Sequence, residues 1–352
     1  MISGSFISIG FDFPVGVSIH DPNHLQFVYE NSDHFRALPT FGVVPGVRAL
    51  FDLSIMTKAN QVEPRVPKLN PTKLVHGEQY LEVLRPISTT GGNLTSTGRL
   101  LEVLDKGSGA LLIADSHTVD EKTGQPVLYN QMALFVVGSG SFGGQRTPTH
   151  PDHRPVVPVP DPNVPDSVCE QRTWPEQAAL YRLSGDRNPL HIDPAFAAMG
   201  GFERPILHGL CTLGFAVRHV LATYAAGQVD RFRAVKVRFS GSILPGETIR
   251  TLMWRSQSTP NRVHFECESV ESGKRVITSS YVDLTEIEEV PSNSFPVTIS
   301  SVSPTIQPNT ISSIAAPDVS YPVPSSSFNS GPLPVNRHHL PVSASISPVF
   351  GK

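Results

Sequence analysis

The chain has 352 residues, more than one ordinary domain needs, so two folded units, or one duplicated unit with a tail, are expected. With 39% hydrophobic and 17% charged residues it has a globular composition, while 33 prolines exceed what regular structure throughout would accept. A formal charge of -3 gives no general attraction to nucleic acid or to an anionic membrane, and neither is expected as a partner.

Met1 to Gly10 lacks a basic region followed by a long apolar run, and no stretch approaches the ~20 apolar residues of a membrane span, so a soluble, non-secreted protein is expected. Leu38 to Leu53 reads as a loop entering a short helix, followed by strand patterns at Leu74–Pro86, Leu94–Leu104, Ala110–Val119 and Val127–Val137. From Thr147 the chain is crowded with proline, including the alternation Pro155 to Pro160, which favours an extended path and reads as a linker over 147–170. A second run opens with a helix at Pro175–Leu183 and a dense polar stretch from Gly185 to Asp193. Leu210, Leu213, Gly214, Val217, Val220, Leu221 and Tyr224 then repeat at steps of three and four, which predicts a helix within 205–226 with one apolar stripe. Strands are expected at Ala234–Phe239, Thr248–Trp254, Val263–Val270 and Val276–Leu284, several alternating as half-buried antiparallel strands do. Two runs of helix and strands predict an α+β chain of two halves, 1–146 and 171–288. Residues 289–352 turn to Ser, Pro, Thr and Val almost without charge, the composition of a disordered tail.

Three widely spaced cysteines, Cys169, Cys211 and Cys267, support neither a disulfide framework nor a four-cysteine zinc site, so a reducing compartment is the default. Gly138-Ser139-Gly140-Ser141-Phe142-Gly143 matches the dinucleotide pattern, yet it leads into the proline segment instead of opening a helix, so it reads as a flexible strand exit. The stretch with chemical content is Tyr181 to Pro194, where Asp186, Asn188 and His191 place a carboxyl, a carboxamide and an imidazole within six residues, stiffened by Pro189 and Pro194. Such a set can hold an acid and a base against one water. Downstream, Pro205-Ile206-Leu207-His208-Gly209 precedes the apolar helix and puts the Gly209 amide at a helix N-terminus. Plainer roles stand beside these: Asp186 and Asn188 as turn and cap residues, His191 and His208 as packed histidines, and His191 with Asp193 as metal ligands lacking a third.

The run around Asp186 resembles the hydratase 2 motif of the MaoC-like family, the hydratase part of peroxisomal multifunctional enzymes of type 2. The resemblance continues in Gly201-Phe202 and Pro205 to Thr212. It is also carried by Leu38 to Val43, His76 to Leu81, Asp105 to Gly109, Phe142 to Gly144 and Pro245 to Thr248, covering about 15–285. It implies a double hot-dog fold, two antiparallel sheets each wrapped around a long helix, with a catalytic C-terminal half and an N-terminal half that accepts bulky acyl chains. It implies (R)-specific hydration of a trans-2-enoyl-CoA in fatty acid β-oxidation, with no metal or redox cofactor. Asp186 and His191 would be the acid and base in an order left open, Asn188 would place the water, and Gly209 would donate to the thioester oxygen. His76, Gly77, Lys106 and Phe239 would touch substrate. A homodimer and a peroxisomal location follow by resemblance only, since Phe350-Gly351-Lys352 is no peroxisomal tripeptide. Met1 to Gly16 departs from the family pattern, and the dehydrogenase and sterol-carrier domains of the larger enzymes have no counterpart, so a stand-alone hydratase is expected. The competing expectations are a non-catalytic acyl-CoA-binding protein and a dehydratase acting on carrier-protein thioesters.

Overall fold

The computed structural model describes residues 55–70, 73–87, 92–184 and 186–287, together with the strand paths of 25–29 and 297–298. All of them belong to one compact unit, Met1–Val302. The expected loop and helix at Leu38–Leu53 lie outside the described residues, as does the expected tail apart from the short strand at Val297–Thr298.

The first half runs β1 (Leu25–Tyr29), α1 (Ile55–Val62), β2 (Leu74–Val83), β3 (Gly92–Asp105), β4 (Gly109–Asp120) and β5 (Gln125–Val137). The second runs β6 (Ser167–Arg172), α2 (Gln177–Tyr181), α3 (Pro194–Met199), α4 (Gly209–Tyr224), β7 (Phe232–Phe239), β8 (Thr248–Arg255), β9 (Arg262–Ser269), β10 (Arg275–Leu284) and β11 (Val297–Thr298). Among the described residues, the long expected strands and the helices expected at Pro175–Leu183 and within 205–226 form, with ends moved by a few residues. β2 stops at Val83, short of Pro86, which has no N–H to donate. β6 is a strand that the pattern did not announce, and it begins inside the segment read as a linker.

The expectation of two sheets needs correction. The described strands form one 11-stranded sheet in the order β1-β3-β4-β5-β2-β7-β10-β9-β8-β6-β11. Every neighbouring pair is antiparallel except β6 with β11. The halves meet at β2 and β7, where Glu78 to Glu82 pair with Arg238 to Ala234. Pairing these two strands satisfies backbone groups that each half would otherwise leave at a bare edge.

The expected helix forms against the sheet and is buried further round than one apolar stripe. Around α4 nearly the whole circumference is buried, including Leu213, Ala216, Val217, Val220 and Tyr224, and the exposed side is the narrow strip of Arg218 and Ala222. The sheet wraps this helix with β6 to β9, so one apolar stripe would not have sufficed. In the first half, the helix among the described residues is the eight-residue α1, which lays Ile55 and Ala59 against β3. The concave faces of the strands, with Leu81, Leu112, Leu128 and Leu134, pack with α4 into one core. Burying each leucine contributes about 1.5–3 kcal/mol over leaving it exposed.

Residues 147–166 form neither helix nor strand, yet they are tied down along their length. The amides of Thr149 and His150 donate to Glu102 on β3, that of Arg154 to Gln131 on β5, that of Val157 to the Ser279 carbonyl on β10, and that of Asp166 to Met253 on β8. The segment therefore straps the convex face from one half to the other, and the Arg154 guanidinium lies over the rings of Tyr80 and Tyr129.

Candidate active site

Short-range hydrogen bonds build the site before any long-range packing does. The Asn188 Oδ1 caps a single 3-10 turn, Pro189–His191, by accepting from the Leu190 amide at 3.1 Å, and Pro189 supplies the fixed φ that this turn uses. The Asp186 carboxylate accepts from the Asn188 amide at 3.1 Å. Both residues thus fill the turn and cap roles open to their types, and the same bonds set the direction of Asp186. Asp193, weighed as a metal partner of His191, is instead the N-cap of α3 and accepts from Ala195 and Phe196.

His191 is buried and donates from Nδ1 to the Ile206 carbonyl at 2.8 Å. A carbonyl can only accept, so the proton sits on Nδ1 and Nε2 keeps a lone pair. His208, 1% exposed, stacks on the His191 ring with centroids 3.6 Å apart and planes at 28°. The Tyr181 ring packs against His208 with centroids 4.7 Å apart. The His208 Nε2 donates to the Asp186 carbonyl at 3.3 Å and lies 3.9 Å from the Asp186 carboxylate. Sequence reasoning left His208 as a packed histidine. Its place just before Gly209, as the N-cap of α4, was the available signal.

Burial pushes the Asp186 carboxyl up to about 6, against the Asn188 amide and the positive charge of Arg182. Burial pushes His191 down to about 4, against its bond to Ile206, and pushes His208 down to about 2 with the neighbouring His191 adding to the effect. The carboxyl therefore holds a proton more readily than usual, and both imidazoles stay neutral.

Asp186, His191 and His208 bring one ligand atom each within 4.8 Å of one another, a spacing also found at metal sites. The two rings are stacked, so their in-plane lone pairs run side by side and do not converge on one ion. The geometry suits acid–base work better, because one water can sit within reach of Asp186 and His191 together.

The helix that follows supplies donors. The amides of Cys211 and Thr212 both bond the His208 carbonyl, while those of Gly209 and Leu210, at the head of α4, have no acceptor within the helix. A Cβ on Gly209 would lie 3.2 Å from the Phe239 ring, so the glycine is what lets that ring approach. Phe239 ends β7 and meets His76 edge to face, 5.2 Å between centroids. Gly77 sits at the β2 bulge that re-aims His76, whose Nε2 donates to Gln79 at 3.1 Å. One run of contacts thus joins His76, Phe239, Gly209, His208, His191 and Asp186. Lys106 stands apart on the β3–β4 turn, its ammonium on the Arg146 carbonyl at 2.6 Å.

No helix follows the Gly138 to Gly143 motif, and Ser141 and Gly143 turn their amides onto the Asp105 carboxylate at 2.7 and 2.8 Å. Its donors hold the loop to its own turn, so it is pinned and not a free strand exit.

A sheet wrapped around a buried helix, with an acid and imidazoles at the helix head, defines the class as a hot-dog-like α+β fold that gathers acid–base groups at one helix end. Comparison with known proteins narrows that class. The model of the MFE-2 hydratase 2 N-terminal domain matches residues 9–138, and that of the MaoC like domain matches 145–280. A peroxisomal multifunctional enzyme type 2 of Mus musculus is 45% identical over 279 residues, covering 79% of this chain and 36% of that protein. A probable enoyl-CoA hydratase 2 of Dictyostelium discoideum is 39% identical over 267 residues, covering 76% of this chain and 86% of its own. The full-length peroxisomal multifunctional enzyme type 2 structure of Drosophila melanogaster superposes with a TM-score of 0.58 at 38% identity, over 74% of this chain and 48% of that one. The chain belongs to the MaoC-like hydratase 2 family. It spans well under two thirds of the multifunctional relatives.

Proposed function

We propose that this chain hydrates trans-2-enoyl-CoA to (3R)-3-hydroxyacyl-CoA. The observation that carries the reading is the carboxyl of Asp186 and the imidazole of His191 within 4.8 Å of each other, beside the head of α4. His191 is the base: its Nε2 takes a proton as the water oxygen bonds Cβ. The π pair moves through Cα to the thioester oxygen, and the Gly209 amide, aided by that of Leu210, meets the charge that forms there. Asp186, whose raised pKa keeps a proton at hand, delivers it to Cα. Solvent returns the proton from His191 to Asp186, so the net change is one water added. Asn188 spends its oxygen on Leu190 and keeps its amino group to steady the water.

His76, Gly77 and Phe239 border the thioester, Lys106 meets the coenzyme further out, and the half formed by residues 1–146 accepts the acyl chain. We place the protein in the peroxisome on the strength of relatives whose names carry that location. The test is the ultraviolet absorbance of the conjugated thioester when purified protein meets trans-2-decenoyl-CoA or the same chain on an acyl carrier protein. Faster loss with CoA supports the reading, and exclusive turnover of the carrier-protein thioester overturns it.

A further inference from the structure

We infer that Arg182 is a positioning residue of the hydration site: its guanidinium clamps the turn that carries Asp186 and sets a positive charge beside the acid and its imidazoles. The inference rests on the proposed acid–base chemistry of Asp186 and His191. Arg182 closes α2, its amide donating to the Ala178 carbonyl, and opens a 3-10 turn, Arg182–Ser184. From that fixed base its Nη2 donates to the Arg187 carbonyl at 3.0 Å, bridging five residues. The preceding carbonyl, that of Asp186, accepts from the His208 Nε2 at 3.3 Å. Neither carbonyl lies in a helix or a strand, so two side chains, one at the end of α2 and one at the head of α4, hold consecutive peptide groups beside Asp186. A reacting group misplaced by about 1 Å costs on the order of a hundredfold in rate, and these two ties keep the carboxyl aimed.

The same guanidinium carries a charge that nothing nearby cancels. Arg182 is half-buried and, among the described residues, makes no ion pair with a carboxylate. Burial dominates at its three neighbours, raising Asp186 and lowering His191 and His208; after the nearer contacts, the Arg182 charge lowers all three. A cation there favours the carboxylate that Asp186 becomes once its proton has gone to Cα. It also keeps His191 in the free-base form that receives the proton of water.

The other ionisable groups around this corner leave that effect to Arg182. Burial raises the Tyr181 phenol on α2 and the Cys211 thiol on α4, the latter to about 12, so both stay neutral over the working range. On the loop, Arg187 is exposed and Asp193 spends its carboxylate on the cap of α3. His76, reached through Phe239, is neutral above about pH 4. Charge and packing then leave different marks on a pH profile. Loss of the Arg182 charge raises Asp186 and His191 together, so both limbs of kcat/KM move to higher pH. A turn that merely loosens lets in water, which lowers Asp186 and raises His191, so the limbs converge.

The experiment uses the full chain in two arms. Nuclear magnetic resonance titration of the Asp186 carboxyl carbon and the His191 ring, assigned with Asp186→Asn and His191→Gln, needs no turnover. Arg182→Gln should raise both groups by at least about half a pH unit, and Arg182→Lys, which keeps the charge, should return them close to wild type. Arg182→Met, which keeps the aliphatic stem, repeats the neutral case. In the second arm, the kcat/KM limbs for trans-2-decenoyl-CoA should move up in step with the titrations. There kcat at the optimum should fall about tenfold or more in Arg182→Gln with KM little changed, and Arg182→Lys should recover most of it. Groups that stay where they are or converge in the neutral variants, a lysine variant that behaves like them, or an unchanged kcat overturns the inference. Wild type that hydrates no enoyl thioester overturns the hydratase reading instead and leaves the titration to judge Arg182.

Discussion

At the residue scale, the division of labour between Asp186 and His191 rests on opposite displacements from one cause. Burial favours the neutral form of each group, which is the protonated acid for Asp186 and the free base for His191. The free enzyme should then be active between the two values: kcat/KM falls below about pH 4 as His191 gains a proton, and above about pH 6 as Asp186 loses one. Bound substrate excludes water and raises the Asp186 limb further, so the kcat profile should extend to higher pH. A profile of kcat/KM that rises through pH 6 to a plateau would contradict the need for a protonated Asp186. Asp186→Asn and His191→Gln should each lower kcat by about 10²–10⁴, measured on folded protein, with little change in KM. The corner that holds these groups was legible in sequence, because turn chemistry is local: Asp186, Asn188 and Pro189 build it among themselves. The stacking of His208 on His191 was not, since it joins residues brought together only by packing.

At the element scale, the head of α4 is the part least tolerant of change. Gly209→Ala adds a methyl 3.2 Å from the Phe239 ring, and the crowding costs about 1–3 kcal/mol if the ring stays in place. The expected result is at least a tenfold fall in kcat/KM, partly restored by Phe239→Leu, which opens the contact. A Gly209→Ala enzyme of normal activity would remove this glycine from the oxyanion site. The strands that pattern reading found are those with long alternations. β6 escaped because Ser167 to Arg172 is short and polar and follows a proline segment, and its pairing with β8 is a tertiary fact. The extent of α4 burial escaped because periodicity reports where apolar residues recur, not how far a sheet curls around them.

At the scale of the whole molecule, the join between halves carries a buried charge cluster. The Lys236 Nζ, 1% exposed, lies 2.8 Å from Glu78 on β2, which Arg238 also binds at 2.7 Å. Burial works to raise the Glu78 carboxyl, and the two cations outweigh it, holding it below its ordinary range. Lys236→Met would strand a buried carboxylate with one exposed partner, so a loss of about 3–5 kcal/mol in chemical denaturation is expected, smaller when Glu78→Gln is added. A neutral Lys236→Met would mean that strand pairing alone joins the halves. Acid should also destabilise the fold. His76, His191 and His219 are held near 4 and His208 near 2, so below pH 6.5 the unfolded chain binds more protons and stability falls with pH. Each histidine contributes up to about 1.4 kcal/mol per pH unit until its folded value is reached, and the raised Asp186 opposes this over a narrower span. Melting temperatures that stay level from pH 7 to 5 would contradict this. Sequence pattern could not tell one sheet from two, because the β2–β7 pairing depends on which edges meet.

The central claim is that Asp186 and His191 together add one water to an enoyl thioester. Its most direct test is chiral analysis of the product formed from trans-2-decenoyl-CoA by wild type, Asp186→Asn and His191→Gln. The account predicts the (3R)-3-hydroxy thioester from wild type and almost none from either variant. Folded wild type that binds the thioester and leaves its double bond intact, or that yields the (3S) product, would contradict it.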